Sequence, residues 1–511
     1  VSVALAAVLC MCFPMAEVHA AETYTVSRAE DFVYQMANAK DGDTVQLGGD
    51  ITVDLTDETF VQKVYGSGAE PNKDLYLRAE NEPYAITLDL NGKKLEIITG
   101  SEKSCFTLGS GITLTVTDSS AEGNGTVVGH SNGNLFVGEA ADSSLVLEKV
   151  KVEFTGYSKD GIPIQPTGSV ISTVGGVTLN DVTYTPEADG PALIDDTAGA
   201  QISYVAKTLE ELVAAVADSR YATVVLGADI TQSITVKAGR TLTLDLNGYT
   251  LTTNTSGEGS AAVNNDGTLT IVNTDTANTG VIERADGSTW YTVCNEGTLT
   301  IGAEGDGYGA LEVRNNNAQD SSSLVENNKD CSPDDPATLT IVNGTYTSMG
   351  SNLNAVKNDD YGICTILGGS FTNEATGGSA VMSAGAMTII AGTFEQKNTA
   401  ATSNALTNKG AATSFVVEGG NFIGTISDTA DCLEISGGTY SNVFSADCLA
   451  ENAALYKNTA GKLVVATEQP ADVEKIVAGT ESGTSDIDKL FTSLQAAADS
   501  LTGASNGFIY M

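Results

Sequence analysis

The chain has 511 residues, 41% of them apolar, with 54 Gly against 10 Pro and 18% charged, a balance that excludes a disordered, collagen-like or coiled-coil protein. Asp and Glu number 65 against 25 Lys and Arg, a formal charge of −40. Such a surface repels nucleic acid and anionic membranes, so neither is an expected partner.

Residues 1–21 read VSVALAAVLCMCFPMAEVHAA, an apolar run ending in the small-x-small pattern Val18-His19-Ala20. This is read as a signal peptide whose basic start is missing. The run from Val1 to Met15 is short for a membrane span, and no later stretch is apolar enough for one. The expectation is an exported protein. Cys10 and Cys12 leave with the leader. Cys105, Cys294, Cys331, Cys364, Cys432 and Cys448 show no CxxC pairing, and only His130 remains beside them, so the spacing of a zinc site is missing. These cysteines are read as small buried hydrophobes.

Two helix signals follow, each ahead of a strand. Ser27 with Glu30, and Thr208 with Glu211, have capping-box spacing. Phe32, Val33 and Met36, and later Leu212, Ala215 and Val216, recur at helical intervals. The strands DTVQLGGDI (43–51) and ATVVLGADI (222–230) come next. AITLDLNGKKLEI (85–97) then matches TLTLDLNGYTLTT (241–253), so the chain contains a large duplication. It predicts two modules, 22–200 and 201–467, each opened by a short amphipathic helix that lids an apolar end.

Within the modules a shorter repeat appears. Leu339–Thr347, Cys364–Thr372, Met387–Glu395, Phe415–Ile423 and Leu433–Ser441 each place an apolar-x-apolar triplet before a Gly turn. An aromatic falls seven places after the first apolar residue: Tyr346, Phe371, Phe394, Phe422, Tyr440. Leu145 with Val152, and Val177 with Tyr184, fit the same frame. Alternation at period two means strands. The gaps of 25, 23, 28 and 18 residues are too short for strand–helix–strand units, which need about 30. A second rank precedes the first: Asn265, Asn295, Asn327, Asn358, Ser383 and Asn408 each follow an apolar-x pair. Asn tolerates sharp turns, and stacked amides can hydrogen-bond in a ladder. Coils rising about 4.8 Å each describe an all-β parallel solenoid.

These ranks resemble the pectate-lyase superfamily over roughly residues 80–460, in fold pattern rather than in catalytic motifs. The resemblance implies a right-handed parallel β-helix with an interior Asn ladder, and a bacterial secreted or surface protein. It also implies that an enzyme of this kind would be a lyase binding calcium through Asp, with Lys or Arg as base, or a hydrolase with paired Asp and a nearby His.

Paired carboxylates would have to project from the outer side of neighbouring coils. The outward rank Thr115, Thr178, Thr270, Thr300, Thr340, Thr365, Thr388, Val416, Glu434 holds no acidic cluster, and neither does the rank ahead of each aromatic. The rank ahead of the Asn ladder reads Asn264, Cys294, Glu326, Lys357, Met382, Thr407, with Glu326 and Lys357 expected as a surface ion pair of little worth. Asp89 and Asp245, each before Asn-Gly, read as turn caps. Asn273-Thr274-Asp275 matches a hydrolase signature by three letters without its partners, and His130 lies in a Gly/Asn-rich turn. Asp195-Asp196 and the doublets Asp334-Asp335 and Asp359-Asp360 are read as solvated turns, the last two pairs being the candidate calcium ligands. Trp290, the single Trp, is the candidate for stacking on a sugar, with Thr270, Thr300 and Thr340 as further ligand contacts.

The acidic stretch 468–488 reads as a linker, and 489–511 as the start of a third module, with a helix in LFTSLQAAADS and a strand in GFIYM. The expected function is a non-catalytic, adhesin-like or glycan-contacting stalk with a glycan or matrix ligand. The alternatives are a polysaccharide lyase or hydrolase and a calcium-stiffened scaffold.

Overall fold

The computed structural model describes residues 19–471 except 78–82, 101–102, 158–165, 167, 185–190, 196–200, 256, 286–289, 316–321, 329–330, 399–402, 410–413, 443 and 469. Further on it describes the backbone of 473–480, 489–491 and 507–510. The expected signal peptide lies outside these residues up to position 18, and so does the expected helix of the tail except for its first two residues, Leu490 and Phe491, which are strand. The chain divides into two compact units, 1–203 and 204–511. Both are parallel β-helices.

The first unit opens with a helix, α1 (Ala29–Asn38), that buries Phe32, Val33 and Met36 against the first strands. Its N-cap is Arg28, which makes no side-chain cap but pairs with Asp31; Ser27 is not the cap that its spacing predicts. A second helix, α2 (Glu58–Tyr65), packs beside α1 and was not foreseen from the sequence. Asp57 caps it by accepting from the Thr59 amide at 2.8 Å, and Gly66 ends it with a φ of 100° that other residues rarely adopt. Three parallel sheets then wind upward. In one column Ile86, Leu114, Leu145 and Val177 stack in register, all buried. In another, Phe106 and Phe136 stack with ring centroids 5.1 Å apart.

The second unit repeats the plan. Helix α3 (Leu209–Ala217) has the full capping box between Thr208 and Glu211 and buries Leu212, Ala215 and Val216. Each coil then contributes strands to three parallel sheets. We call these the Thr face (from Tyr221–Leu226 to Leu433–Ile435), the aromatic face (from Ile230–Thr231 to Gly438–Tyr440) and the Asn face (from Ile234–Val236 to Ile426–Asp428). The names follow the columns. On the aromatic face Tyr346, Phe371, Phe394, Phe422 and Tyr440 form one stack, with centroid spacings of 4.7, 5.0, 4.8 and 5.0 Å and interplanar angles of 11° or less. On the Asn face the side-chain amide of Asn265 donates to Asn295, Asn295 to Asn327 and Asn327 to Asn358, each at 2.7 Å. Asn358 then donates to the Ser383 hydroxyl at 3.0 Å. All of these side chains are buried, and the ladder satisfies amides that would otherwise be orphaned in the core.

A Gly precedes each aromatic in the turn from the Thr face. Gly392 has φ 129°, and a Cβ there would lie 3.0 Å from the Phe394 ring. Asp89 and Asp245 are buried turn caps that also tie coils together. Asp245 accepts from the Asn247 amide at 2.9 Å and, on the next coil, from the Thr274 amide at 3.0 Å and hydroxyl at 2.6 Å. Asp89 does the same with Asn91 and Ser119.

The parallel stack ends in an antiparallel hairpin. Leu463–Ala466 pairs with Gly438–Tyr440 and with Ala454–Asn458. Within the stretch expected to be a linker, Val473–Thr480 is instead a strand, antiparallel to Ala454–Asn458. Lys489–Phe491 and Gly507–Tyr510 pair with it in turn.

Candidate functional site

The outer side of the Asn face carries a column whose residues change from coil to coil in chemical type. Asn264, Cys294, Glu326, Lys357, Met382 and Thr407 are paired in strict register. Trp290 and Tyr291 cross this column on the loop that leads into strand Val293–Asn295, their rings 5.0 Å apart and tilted by 59°. Both are half-buried.

A cleft opens on each side of the aromatic pair. On the Trp290 side, a cleft of about 220 Å³ is lined by Thr235, Asn264 and Cys294, with three acids, Glu258, Asp266 and Glu296. On the Tyr291 side, a larger one of about 330 Å³ is lined by Ser322, Ser323, Asn352, Asn354, Ser379, Asn404 and Thr407, together with Lys357 and Lys409. Among the described residues no carboxylate lines this second cleft, although acids outnumber bases 65 to 25 in the chain.

The floor between the clefts overturns the expected surface ion pair. Glu326 has no exposed surface, and Lys357 bridges Asp359, not Glu326. The Lys357 ammonium lies 5.7 Å from the centroid of the Tyr291 ring, so an aromatic side chain stands beside it where solvent was expected. Burial, reinforced by the charge of Asp359, pushes the Glu326 carboxyl up to about 9, so it is neutral at pH 7. As a carboxylate its Oε1 would meet no donor; as an acid it can donate to Asp359, which lies within hydrogen-bonding reach. Its Oε2 accepts from the Cys294 thiol at 3.4 Å. Burial alone would lower the Lys357 pKa, but the bond to Asp359 and that residue's charge raise it above the ordinary value.

Comparison with protein-family models, with curated proteins and with solved structures finds no match to this chain. The site therefore rests on its own geometry.

The remaining sequence candidates lie elsewhere. Thr270, Thr300 and Thr340 stand in one half-buried column of the Thr face, between Thr243 and Thr365, and line neither cleft. Asp334 and Asp335 are exposed on a turn closed by the Asp335 amide to Ser332 at 3.1 Å. Asp360 is exposed and its carbonyl accepts from the Asn328 amide, whereas Asp359 turns inward to Lys357. Among the described residues, no three His, Cys, Asp or Glu side chains gather into a metal-sized group. His130 sits between Thr155 Oγ1 at 2.7 Å and Glu96 Oε1 at 3.1 Å, bridging strands of the first unit. Asn273 donates to three backbone carbonyls and holds a turn. The members that sequence reading missed are Tyr291, Lys409 and the pairing of Glu326 with Asp359. The available signal was the column itself, where an acid and a base follow one another at an outward position.

Proposed function

We propose that this is a secreted or cell-surface bacterial β-helical protein, non-catalytic, that contacts glycans through the outer side of the Asn face. The observation that carries the reading is the Trp290–Tyr291 pair standing between two open clefts, the larger lined by amides and hydroxyls and the smaller by Thr235, Asn264 and three acids. Sugar rings offer apolar C–H faces to aromatic side chains and hydroxyls to Asn, Ser and Thr. The leader-like residues 1–21 and the acidic composition support export. A glycan array with the wild type and with Trp290→Ala and Tyr291→Ala tests it. Binding that each substitution weakens about tenfold supports the reading, on the scale of one buried aromatic contact. Silence on every glycan overturns it.

A second reading, a polysaccharide hydrolase or lyase, draws on one observation: Glu326 is a protonated acid beside the carboxylate of Asp359. A general acid must reach the glycosidic oxygen, and Glu326 exposes no surface to a substrate. Incubation with pectin, alginate and glycosaminoglycans, with and without calcium, separates the two. New reducing ends or unsaturated products lost in Glu326→Gln would establish the enzyme.

A further inference from the structure

The two clefts flanking Trp290 and Tyr291 differ in charge, and this difference selects a ligand. The smaller has three acids and no Lys or Arg among its lining residues. The larger has two Lys and, among the described residues, no acid. Lys357 is held by Asp359 and by the face of Tyr291, so its position is fixed but its charge is largely answered. Lys409 is different. It is exposed at the cleft edge and forms no ion pair among the described residues. Beneath the cleft burial holds Glu326 neutral, and Asp359 answers Lys357, so Lys409 is the ammonium that no carboxylate among the described residues pairs. Around them stand the side chains of Asn352, Asn404 and Thr407, which can serve sugar hydroxyls.

On a chain of charge −40, a basic cleft of about 330 Å³ is an exception enclosed by repulsion. A long polyanion would be driven off by the surface on either side. A single charged sugar can enter without bringing further charges along. We infer that the cleft bounded by Tyr291, Lys357 and Lys409 receives one acidic sugar at the end of a glycan, its anionic group on Lys409. This rests on the glycan reading above and names the class of sugar. Carboxylate and sulfate share the required chemistry.

The test uses the single Trp, since Trp290 stands 5.0 Å from Tyr291 and its fluorescence reports on the site alone. The full chain is titrated with three oligosaccharides alike except at the terminal sugar: a glucuronate, its uncharged glucose counterpart and a 6-sulfated glucose. The acidic forms are expected to bind about ten- to a hundredfold tighter than the neutral one, as one charge-assisted contact dictates. Whichever acidic form binds tighter identifies the anionic group. Lys409→Gln is expected to bring the acidic forms to the neutral affinity. Because Lys409 is exposed, the variant folds as the wild type does, which circular dichroism and melting check. Equal affinity for acidic and neutral forms, or a preference that survives in Lys409→Gln, overturns the inference and leaves the glycan reading standing. No binding of any of the three, when other glycans bind on the array, overturns the inference alone; silence on the whole array overturns both.

Discussion

Glu326 shows what one outward position can become when a neighbour covers it. Its strand register was legible, because Val325 and Asn327 mark the two inward positions and leave Glu326 between them. Its burial was not. Tyr291, which packs on the neighbouring Lys357, comes from a loop one coil before Glu326, and no local pattern links the two. The consequence is measurable. The carboxyl titrates near 4.5 in the unfolded chain and near 9 in the folded one. Below pH 4.5 both states hold the proton. From there to pH 9 only the unfolded state releases it, so wild-type stability falls by up to about 1.4 kcal/mol per pH unit and levels off above. Gln has no proton to release and can still donate to Asp359. Glu326→Gln should therefore gain melting temperature over the wild type as pH rises from 5 to 9, with the two converging toward pH 4. A difference that does not vary with pH would mean that Glu326 is ionised in the fold. Asp89 titrates in the opposite sense. Burial would raise its pKa, but the donors Gln46, Ser119 and Asn91 outweigh that and lower it, so its support is lost in acid.

At the scale of elements, the columns were legible and the caps only in part. Five aromatics at a fixed offset from an apolar triplet left one arrangement open, a stack, because equivalent positions on successive coils sit about 4.8 Å apart. The Asn rank was legible for the same reason. The helices were harder. Thr208 and Glu211 close the capping box that their spacing announces, but Ser27 with the same spacing does not cap α1. Arg28, extended at φ −131°, holds that position instead and spends its side chain on Asp31. Thr208→Ala should then destabilise the second unit by about 1 kcal/mol, and Ser27→Ala should leave the helix end nearly unchanged. Chemical denaturation of the two variants measures both. Equal losses would return the cap to Ser27. Helix α2 escaped notice because only Val61 on it is buried, too little to set up a period. The strand Val473–Thr480 escaped because acids on both sides of it read as linker, while its partner edge lies in a hairpin that the repeat does not contain.

At the scale of the whole molecule, charge separates two kinds of ligand that share one anionic group. The surface field of a chain at −40 acts on every charge a ligand carries, whereas Lys409 acts on one. For a short glycan with a single acidic end, the local contact wins, and salt weakens it by screening that pair. For a long polyuronate the repelled charges outnumber the one that is held. Salt then screens repulsion more than attraction, within a Debye length of about 10 Å at 0.1 M. The affinity of polygalacturonate should rise between 20 and about 200 mM salt, while that of the glucuronate-ended oligosaccharide falls over the same range. Binding measured at both salts by Trp290 fluorescence reads the two slopes directly. A polyanion whose affinity falls steeply with salt, as it does for proteins that gather many phosphates or sulfates on basic surfaces, would place several cations on one ligand. The long-chain arm thus asks about the surface as a whole, and Lys409→Gln should leave its slope unchanged while flattening that of the short ligand.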